Sequence, residues 1–297
     1  MKLHHLQEVV AIAAHGSIRA AARVLNLAQP ALTRSLADLE RELGAPLFER
    51  HARGVAATSV GTAFVGRATA ILQDLRRAQE EVAQLGGATG GTVAVGLSTA
   101  AHISLLPPAL RPFRARYPDT QLQIIEGLYP TLAPLFREGS LDFYVGPDAG
   151  TSLLPDLSRE VVGLGNRVVL CRRGHPLAAA RSLADLADAD WITTSVTADA
   201  ADEMGRLFKA HGLPPPRLAV RSRSALTVMT CLAHSDLLAM VPRGWTSFAL
   251  TREALIPIEV MEELAAPSIV LIRRHDLPLT PAATYLLDLM RRALDKL

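Results

Sequence analysis

The sequence is short of the residues that would place it in several large classes. Its two cysteines, Cys171 and Cys231, stand far apart in apolar runs of a 297-residue chain, so neither a disulfide framework nor a thiolate metal site is indicated. Both read as buried structural thiols. No apolar run approaches the ~18 residues of a membrane span, and Lys2 is not followed by an apolar core of secretory type. We therefore expect a cytoplasmic chain with no membrane partner. Aromatic residues make up only 4%. An excess of one charge is also missing, with 31 Lys+Arg against 29 Asp+Glu for a net charge of +2, which excludes a polybasic nucleic-acid binder. Any DNA affinity must come from placement, and residues 1 to 60 carry seven basic residues against five acidic ones.

Catalytic signatures are absent as well. There is no Gly-x-Ser-x-Gly elbow, no Walker loop and no pair of histidines at metal-binding helical spacing. His4 and His5 are adjacent and read as surface residues rather than ligands. His234, Ser235 and Asp236 are sequence neighbours, whereas a catalytic triad draws its members from separate elements. No cofactor or metal is expected, and an α/β enzyme remains only a remote alternative.

What is present begins at Ser17. Ile18, Ala21, Ala22 and Leu25, then Leu32, Leu36, Leu39 and Leu43, form two helical stripes joined by a short turn at Asn26-Leu27. Pro30 sits in the first turn of the second helix, where a missing N–H is tolerated. Two such helices make a helix-turn-helix. Opposite the leucine stripe lie Gln29, Pro30, Thr33, Arg34 and Ala37, all short except Arg34. That face suits a major groove about 12 Å wide, with Arg34 as a bidentate donor to guanine or phosphate and Gln29 as an amide for adenine. An ordinary solvated helix face is the competing reading of the periodicity alone. Pro46-Leu47-Phe48 closes a small core, and Arg50, His51 and Arg53 precede Gly54 on what reads as a hairpin wing suited to a minor groove. Before the motif, residues 3 to 15 put Leu3, Leu6, Val10 and Ala13 on one helical face that ends at Gly16.

With the run AA-x-x-L-x-x-AQPALTRSLADLERELGAPLFER, the chain resembles the LysR-type transcriptional regulators, and the order of its parts matches that family over essentially its whole length. The resemblance implies a winged helix-turn-helix in which Gln29, Pro30, Thr33 and Arg34 face the major groove while Arg50 and Arg53 reach backbone or minor groove. Three positions depart from the family pattern. Ala28 replaces a serine cap worth about 1 kcal/mol, and Thr33 keeps a hydroxyl while adding a methyl that can rest on thymine. Ala57 replaces a leucine, which is expected to thin the support beneath the wing by ~2 kcal/mol.

From Thr58 a long helix begins. Phe64, Ala68, Ile71, Leu75, Ala78, Val82 and Leu85 alternate steps of four and three, a heptad pattern that reads as a dimerising seam over residues 59 to 85. The alternative is an amphipathic helix packed on its own domain. Residues 86 to 91 hold four glycines and read as a hinge. We thus expect a winged helix-turn-helix domain at 1–58, a linker helix at 59–85, a hinge at 86–91 and an effector domain at 92–297.

Beyond the hinge strand and helix patterns alternate, which predicts open, mostly parallel sheets. Strand-like runs fall at 92–97, 121–125, 141–145, 167–171, 191–193, 218–220, 237–241 and 268–272, with helices at 108–116, 131–138, 199–211, 224–234 and 281–295. Residues 156 to 164 read as a segment crossing between two sheets. The family resemblance implies a two-lobed, periplasmic-binding-protein-like α/β effector domain; we place lobe one at 92–161 and 268–297 and lobe two at 162–267. Ligands of such sheets sit beyond the carboxyl ends of the strands. That rule selects Ser98, Thr99 and Ala100, Gly127 and Tyr129, and Gly146 and Pro147 in lobe one. In lobe two it selects Ser195, Ser222 to Ser224 with Arg223 among them, and Pro242. Each serine reads equally well as a helix cap. The amides at the starts of the helices from 99 and 224 favour an anionic head group, and the LYP and RRHDLPLTPAA stretches resemble regulators of aromatic-acid or sulfonate catabolism. The expected partners are promoter DNA, a small organic acid as inducer, further copies of the chain as a dimer and a tetramer of two dimers, and RNA polymerase. A constitutive regulator without a ligand is the alternative.

Overall fold

The computed structural model describes residues 1–51, 54–193 and 198–296. Helices α1 (Leu3–His15), α2 (Ile18–Val24) and α3 (Gln29–Leu43) are followed by a hairpin of β1 (Phe48–His51) and β2 (Gly54–Ala57). Gly16 ends α1 in the left-handed region, φ 58°, and Ser17 caps α2 by accepting the amide of Ala20. Asn26, also left-handed at φ 53°, makes the turn into α3. Ala28 caps α3 with no side-chain bond.

The core of this unit is Leu6, Val9, Ile12, Ala21, Ala22, Leu32, Leu36, Leu39 and Leu47. Two expectations shift here. The buried stripe of α1 is Leu6, Val9 and Ile12, and Leu3 is exposed, because α1 is clasped by α2 and α3 on one side and by the following long helix on another. Leu43, the last of the α3 series, is exposed just before Gly44 turns the chain away at φ 70°.

The wing pairs Phe48 with Ala57 and Arg50 with Val55. Ala57 faces solvent, so a leucine there would bury little, and the expected loss of support does not arise. Val55 and Phe48 pack on the core instead. Glu40 of α3 adds a polar anchor, its Oε1 accepting the amides of Leu47 at 2.7 Å and Phe48 at 3.2 Å.

Helix α4 (Ser59–Leu85) starts at a Thr58 cap that accepts the amide of Gly61. A Cβ on Gly61 would sit 1.8 Å from the Leu47 carbonyl oxygen, so only glycine lets the helix begin against the hairpin. Phe64 and Ala68, the first two seam positions, pack into the N-terminal core rather than standing free. Farther along, Ile71 (48% exposed), Leu75 (38%), Val82 (72%) and Leu85 (74%) are open to solvent. A different face, holding buried Arg77 and Gln84, lies on the effector domain. At 100° per residue the two faces stand roughly 120° apart, so one helix holds both the seam pattern and the amphipathic alternative.

The effector domain has two sheets. The first, in the order β4-β3-β5-β12-β6, comprises β3 (Gly91–Leu97), β4 (Thr120–Glu126), β5 (Phe143–Pro147), β6 (Leu157–Gly163) and β12 (Ile269–Arg274). Around it lie α5 (Thr99–Ser104), α6 (Leu106–Arg116), α7 (Tyr129–Arg137) and α10 (Pro281–Leu294). Phe143 and Val145 point into the core under α5, α6 and α10, and Tyr144 into the core under α7. The second lobe holds a three-stranded sheet, β10 (Ala239–Pro242), β7 (Arg167–Arg172) and β11 (Leu255–Ile258), and a pair, β8 (Asp190–Thr193) with β9 (Arg217–Arg221). The two are linked by a bridge between Trp191 and Leu238 and flanked by α8 (Ala198–Ala210) and α9 (Ala225–Ala233).

These sheets are mixed rather than mostly parallel. β3 runs parallel to β4 and β5, and β8 to β9, but β12 is antiparallel to β5 and β6, and β7 to β10 and β11. The reversals occur at strands where the chain leaves one lobe and returns. β6, read from sequence as a crossing segment, is an edge strand of lobe one that runs two residues past the expected boundary at 161. β11 has Pro257 inside it, a residue tolerated because this strand too lies at an edge.

Candidate DNA-reading surface and effector cleft

On α3 the side opposite the buried leucines exposes Gln29, Pro30, Arg34 and Ala37, with Thr33 half-buried. The Thr33 hydroxyl donates to the Gln29 carbonyl at 3.0 Å, so its proton is spent on the helix backbone while its oxygen can still accept. Among the described residues no carboxylate pairs with Arg34 or Arg50, so both guanidinium groups are available to an anionic partner. Arg53 lies outside the described residues. Sequence reasoning missed a device behind this face. Glu8 of α1 is buried and accepts the Ser35 hydroxyl at 2.5 Å, fixing the reading helix on α1 from its rear. An acid inside an otherwise apolar helix stripe was the available signal.

The attachment of α4 to lobe one is polar and mostly buried. Arg77 donates to Asp142 at 2.9 Å and to the carbonyls of Gly139 at 2.7 Å and Leu141 at 3.0 Å. The other oxygen of Asp142 accepts the Ala94 amide of β3 at 2.8 Å. Burial raises the Asp142 carboxyl above its ordinary pKa, and the Arg77 charge and the Ala94 amide oppose that rise. Arg274 pairs with Asp74 of the same helix at 3.3 Å. Gln84 donates to the Gly90 carbonyl and accepts the Ala282 amide, each at 2.9 Å. Thr89 donates to Asp119 at 2.5 Å. Thr89 and Gly90 of the glycine-rich segment are thus held by side-chain bonds, and Gly87 and Gly91 adopt φ of 96° and 125°, a region that favours glycine.

At the carboxyl ends of β3, β4 and β5, Ser98 is buried and caps α5 by accepting the Ala101 amide at 3.3 Å. Thr99 donates its hydroxyl to the Glu126 carboxylate at 2.5 Å. Ala100 packs with Ile103 against the lobe-two cluster that includes Trp245. Beyond them a Cβ on Gly244 would sit 2.4 Å from the Ser104 hydroxyl oxygen, so α5 seats directly on the short helical turn Arg243–Ser247. The Gly127 amide donates to the Leu97 carbonyl at 3.1 Å. Gly146 is buried because the Tyr144 hydroxyl fills the place of a side chain, 2.1 Å from a Cβ built there. Pro147 is half-buried and paired with Ile269.

Tyr129 is a correction. Its ring is buried beside Phe136 and Tyr144, with centroids 6.2 and 6.5 Å away, and its hydroxyl accepts the Leu154 amide at 3.0 Å. As the first residue of α7 it turns into the core, where a large ring buries more area than at the cleft.

In lobe two, Ser222 accepts the Ser224 amide at 3.1 Å, and Ser224 caps α9 by accepting the Thr227 amide at 3.3 Å. Both fit the capping alternative. Arg223 is exposed, with no carboxylate partner among the described residues, while Pro242 pairs with Arg167 across β10 and β7. Ser195 lies outside the described residues. Next to Pro242, Arg243 grips Glu259 with two bonds of 2.8 and 2.7 Å, which lower the Glu259 carboxyl and raise the Arg243 guanidinium from their ordinary values.

Sequence reasoning missed Glu126, Tyr144 and Trp245. The strand-end rule names Gly127, and shifting it by one residue finds Glu126. Among the described residues neither Tyr144 nor Trp245 has a well-formed hydrogen bond to its polar atom, although both are buried. Burial raises the Tyr144 hydroxyl far above the usual phenol range. The backbone amide of Tyr129 nearby opposes the rise and the charge of Asp148 adds to it.

Of the sequence neighbours His234, Ser235 and Asp236, Ser235 donates to the Cys231 carbonyl at 2.6 Å and Asp236 pairs with Arg172. Among the described residues no cluster of His, Cys, Asp and Glu is arranged to hold a metal. Burial pushes the Cys171 thiol up to about 11, away from reactivity. Among the described residues no helix is long and apolar enough to cross a membrane. At the far end of lobe one from the cleft, a groove of about 360 Å³ opens between α4, α6 and α10, where Arg116 stacks on Tyr117 and Tyr285.

Residues 3–62 match the family described as bacterial regulatory helix-turn-helix protein, lysR family, and residues 86–295 match the LysR substrate binding domain. Among curated proteins, the chain is 30% identical to the HTH-type transcriptional regulator GbpR of Azospirillum brasilense, covering 99% of this chain and 87% of that protein. It is also 30% identical to the SDS degradation transcriptional activation protein of a Pseudomonas strain, covering 95% and 92%. Among solved structures, full-length CbnR in complex with its target DNA is 21% identical with a TM-score of 0.71, over 99% of this chain and 100% of that one.

Proposed function

Because this chain belongs to the LysR family of bacterial transcriptional regulators, proteins that bind DNA, answer to small-molecule inducers and are not enzymes, we propose a residue-level division of that work. Gln29, Pro30, Thr33 and Arg34 enter the major groove, and Arg50 on the wing contacts backbone or minor groove. Residues 1–58 form the reader, 59–85 the linker and 92–297 the effector unit. Two copies pair through Ile71, Leu75, Ala78, Val82 and Leu85, setting two reading helices about 34 Å apart on one face of the duplex. Dimers associate further into a tetramer, and RNA polymerase is the downstream partner.

The inducer sits between the lobes, bordered by Ser98, Thr99, Gly127 and Gly146 on one side and by Ser222 and Arg223 on the other. It acts as a population shift, which requires it to bind one arrangement of the lobes or dimers better than the other. The observation that carries the reading is α3 itself. It buries Leu32, Leu36 and Leu39 while leaving Gln29, Pro30 and Arg34 uncovered, Arg34 having no carboxylate partner among the described residues.

The test is fluorescence anisotropy against promoter fragments selected from genomic DNA by the full chain. Arg34→Ala is expected to weaken specific binding by about 1 to 3 kcal/mol while leaving non-specific binding nearly unchanged. Equal discrimination between selected and random duplex by wild type and variant would remove Arg34 from the reading face.

A further inference from the structure

We propose that the groove between α4, α6 and α10 is a second small-molecule site, outside the cleft, and that its ligand is an α-amino acid. The groove lies at the amino ends of the strands, since Tyr117 closes α6 just before Thr120 begins β4 beside Gly91 of β3. The cleft lies at their carboxyl ends, so the inference does not depend on what the cleft binds. About 360 Å³ is open in the groove, which is room for a molecule of that size. Its walls come from three elements: Glu81 of α4, Arg116 and Tyr117 at the end of α6, and Tyr285 and Asp288 of α10. Aromatic rings make one wall apolar. Tyr117 is buried, stacks on Phe113 with centroids 5.8 Å apart and tilts against Tyr285 at 5.9 Å.

The charges in this groove are open while their neighbours are paired. Arg76 bonds Glu80 on α4 and Arg291 of α10 bonds Glu160, each at 2.7 Å. Glu81, Arg116 and Asp288 form no ion pair or hydrogen bond among the described residues. The Arg116 guanidinium instead lies over the two rings, 5.8 Å from the Tyr117 centroid and 5.4 Å from that of Tyr285. A guanidinium held by its face keeps its N–H edge free for two carboxylate oxygens. Two carboxylates, one guanidinium and an aromatic wall together specify a ligand with an ammonium group, a carboxylate and a hydrocarbon body. An α-amino acid has all three: its ammonium answers Glu81 and Asp288, its carboxylate Arg116, and its side chain the tyrosine rings. A plain amine leaves Arg116 without an anion, and a plain acid brings a third negative charge to the two already there. Because Glu81 belongs to the linker helix, the bound molecule ties α4 to α6 and α10.

Isothermal titration of the full chain with the standard amino acids tests this, with butylamine and hexanoate as amine-only and acid-only controls. At least one amino acid is expected to bind, and neither control to come within about tenfold of it. Glu81→Gln and Arg116→Gln should each weaken that binding about 10- to 100-fold, as one charge-assisted bond is lost. Their unfolding midpoints should match wild type, because Glu81 is half-buried without a partner and Arg116 is exposed. Arg223→Ala, in lobe two, should bind the amino acid as wild type does. If no amino acid binds, or if both groove variants bind it as tightly as wild type, the inference is overturned. Binding lost in Arg223→Ala and kept in the groove variants would place the amino acid in the cleft, which overturns the inference and leaves the two-lobed reading standing.

Discussion

At the scale of the residue, the informative positions are those whose polar atoms are handled unusually. Glu8, Glu40 and Gln84 are acceptors placed inside or beside apolar packing, and each fastens one element to another through a hydroxyl or backbone amide. None was legible from periodicity, which sees only that a polar residue interrupts a stripe. Tyr144 is the opposite case, a buried hydroxyl with the Tyr129 amide nearby but no well-formed hydrogen bond among the described residues. Such a group costs about 1 to 3 kcal/mol. Tyr144→Phe is therefore expected to leave the ligand-free protein unchanged or stabilised by up to about 1 kcal/mol in urea unfolding. A loss of more than that amount would mean the hydroxyl is already satisfied. The small residues around it were easier to read. Gly146 and Ser98 were chosen from strand ends alone, and the structure explains the glycine by the phenol lying where its side chain would be.

At the scale of the element, α4 decides how the parts are joined. Its bounds follow from Thr58 as cap and from the glycines after Leu85, and its heptad steps were visible in the sequence. The second face was not, because Arg77 and Gln84 are polar, and burial of polar residues depends on partners as distant as Asp142 and Ala282. That face makes a buried polar joint. Removing Arg77 strands Asp142 without its cation, so Arg77→Ala should cost about 3 to 5 kcal/mol of effector-domain stability. Combining it with Asp142→Asn should recover at least about 1 kcal/mol by double-mutant cycle. Simple additivity in calorimetry would show that the pair does not act as a unit. β6 and β11 were the elements least legible in the sequence, since edge strands carry weaker patterning and β11 holds a proline.

At the scale of the whole molecule, the polar joint changes where motion is to be sought. The glycine-rich segment reads as a hinge in the sequence, and in the structure Arg77, Arg274 and Gln84 bind α4 to lobe one. A ligand that shifts lobe two against lobe one would then move a unit that includes the linker helix, and through it the spacing of paired readers. The division into reader, linker and two lobes was open to sequence reasoning because each part has its own hydrophobic period. The pairing of the Thr99 hydroxyl with the Glu126 carboxylate was not, since it joins residues 27 apart in sequence.

The most direct measurement is a hydroxyl-radical footprint of the full chain on its selected promoter fragment, taken with wild type, Arg34→Ala and Leu75→Glu. Wild type should protect two patches on one face of the duplex about one helical turn apart. Arg34→Ala should lose both together, and Leu75→Glu, which places a charge in the α4 seam, should break the pairing and sediment as a monomer. A single protected patch that both substitutions leave intact would contradict the account of paired readers carried on a shared helix.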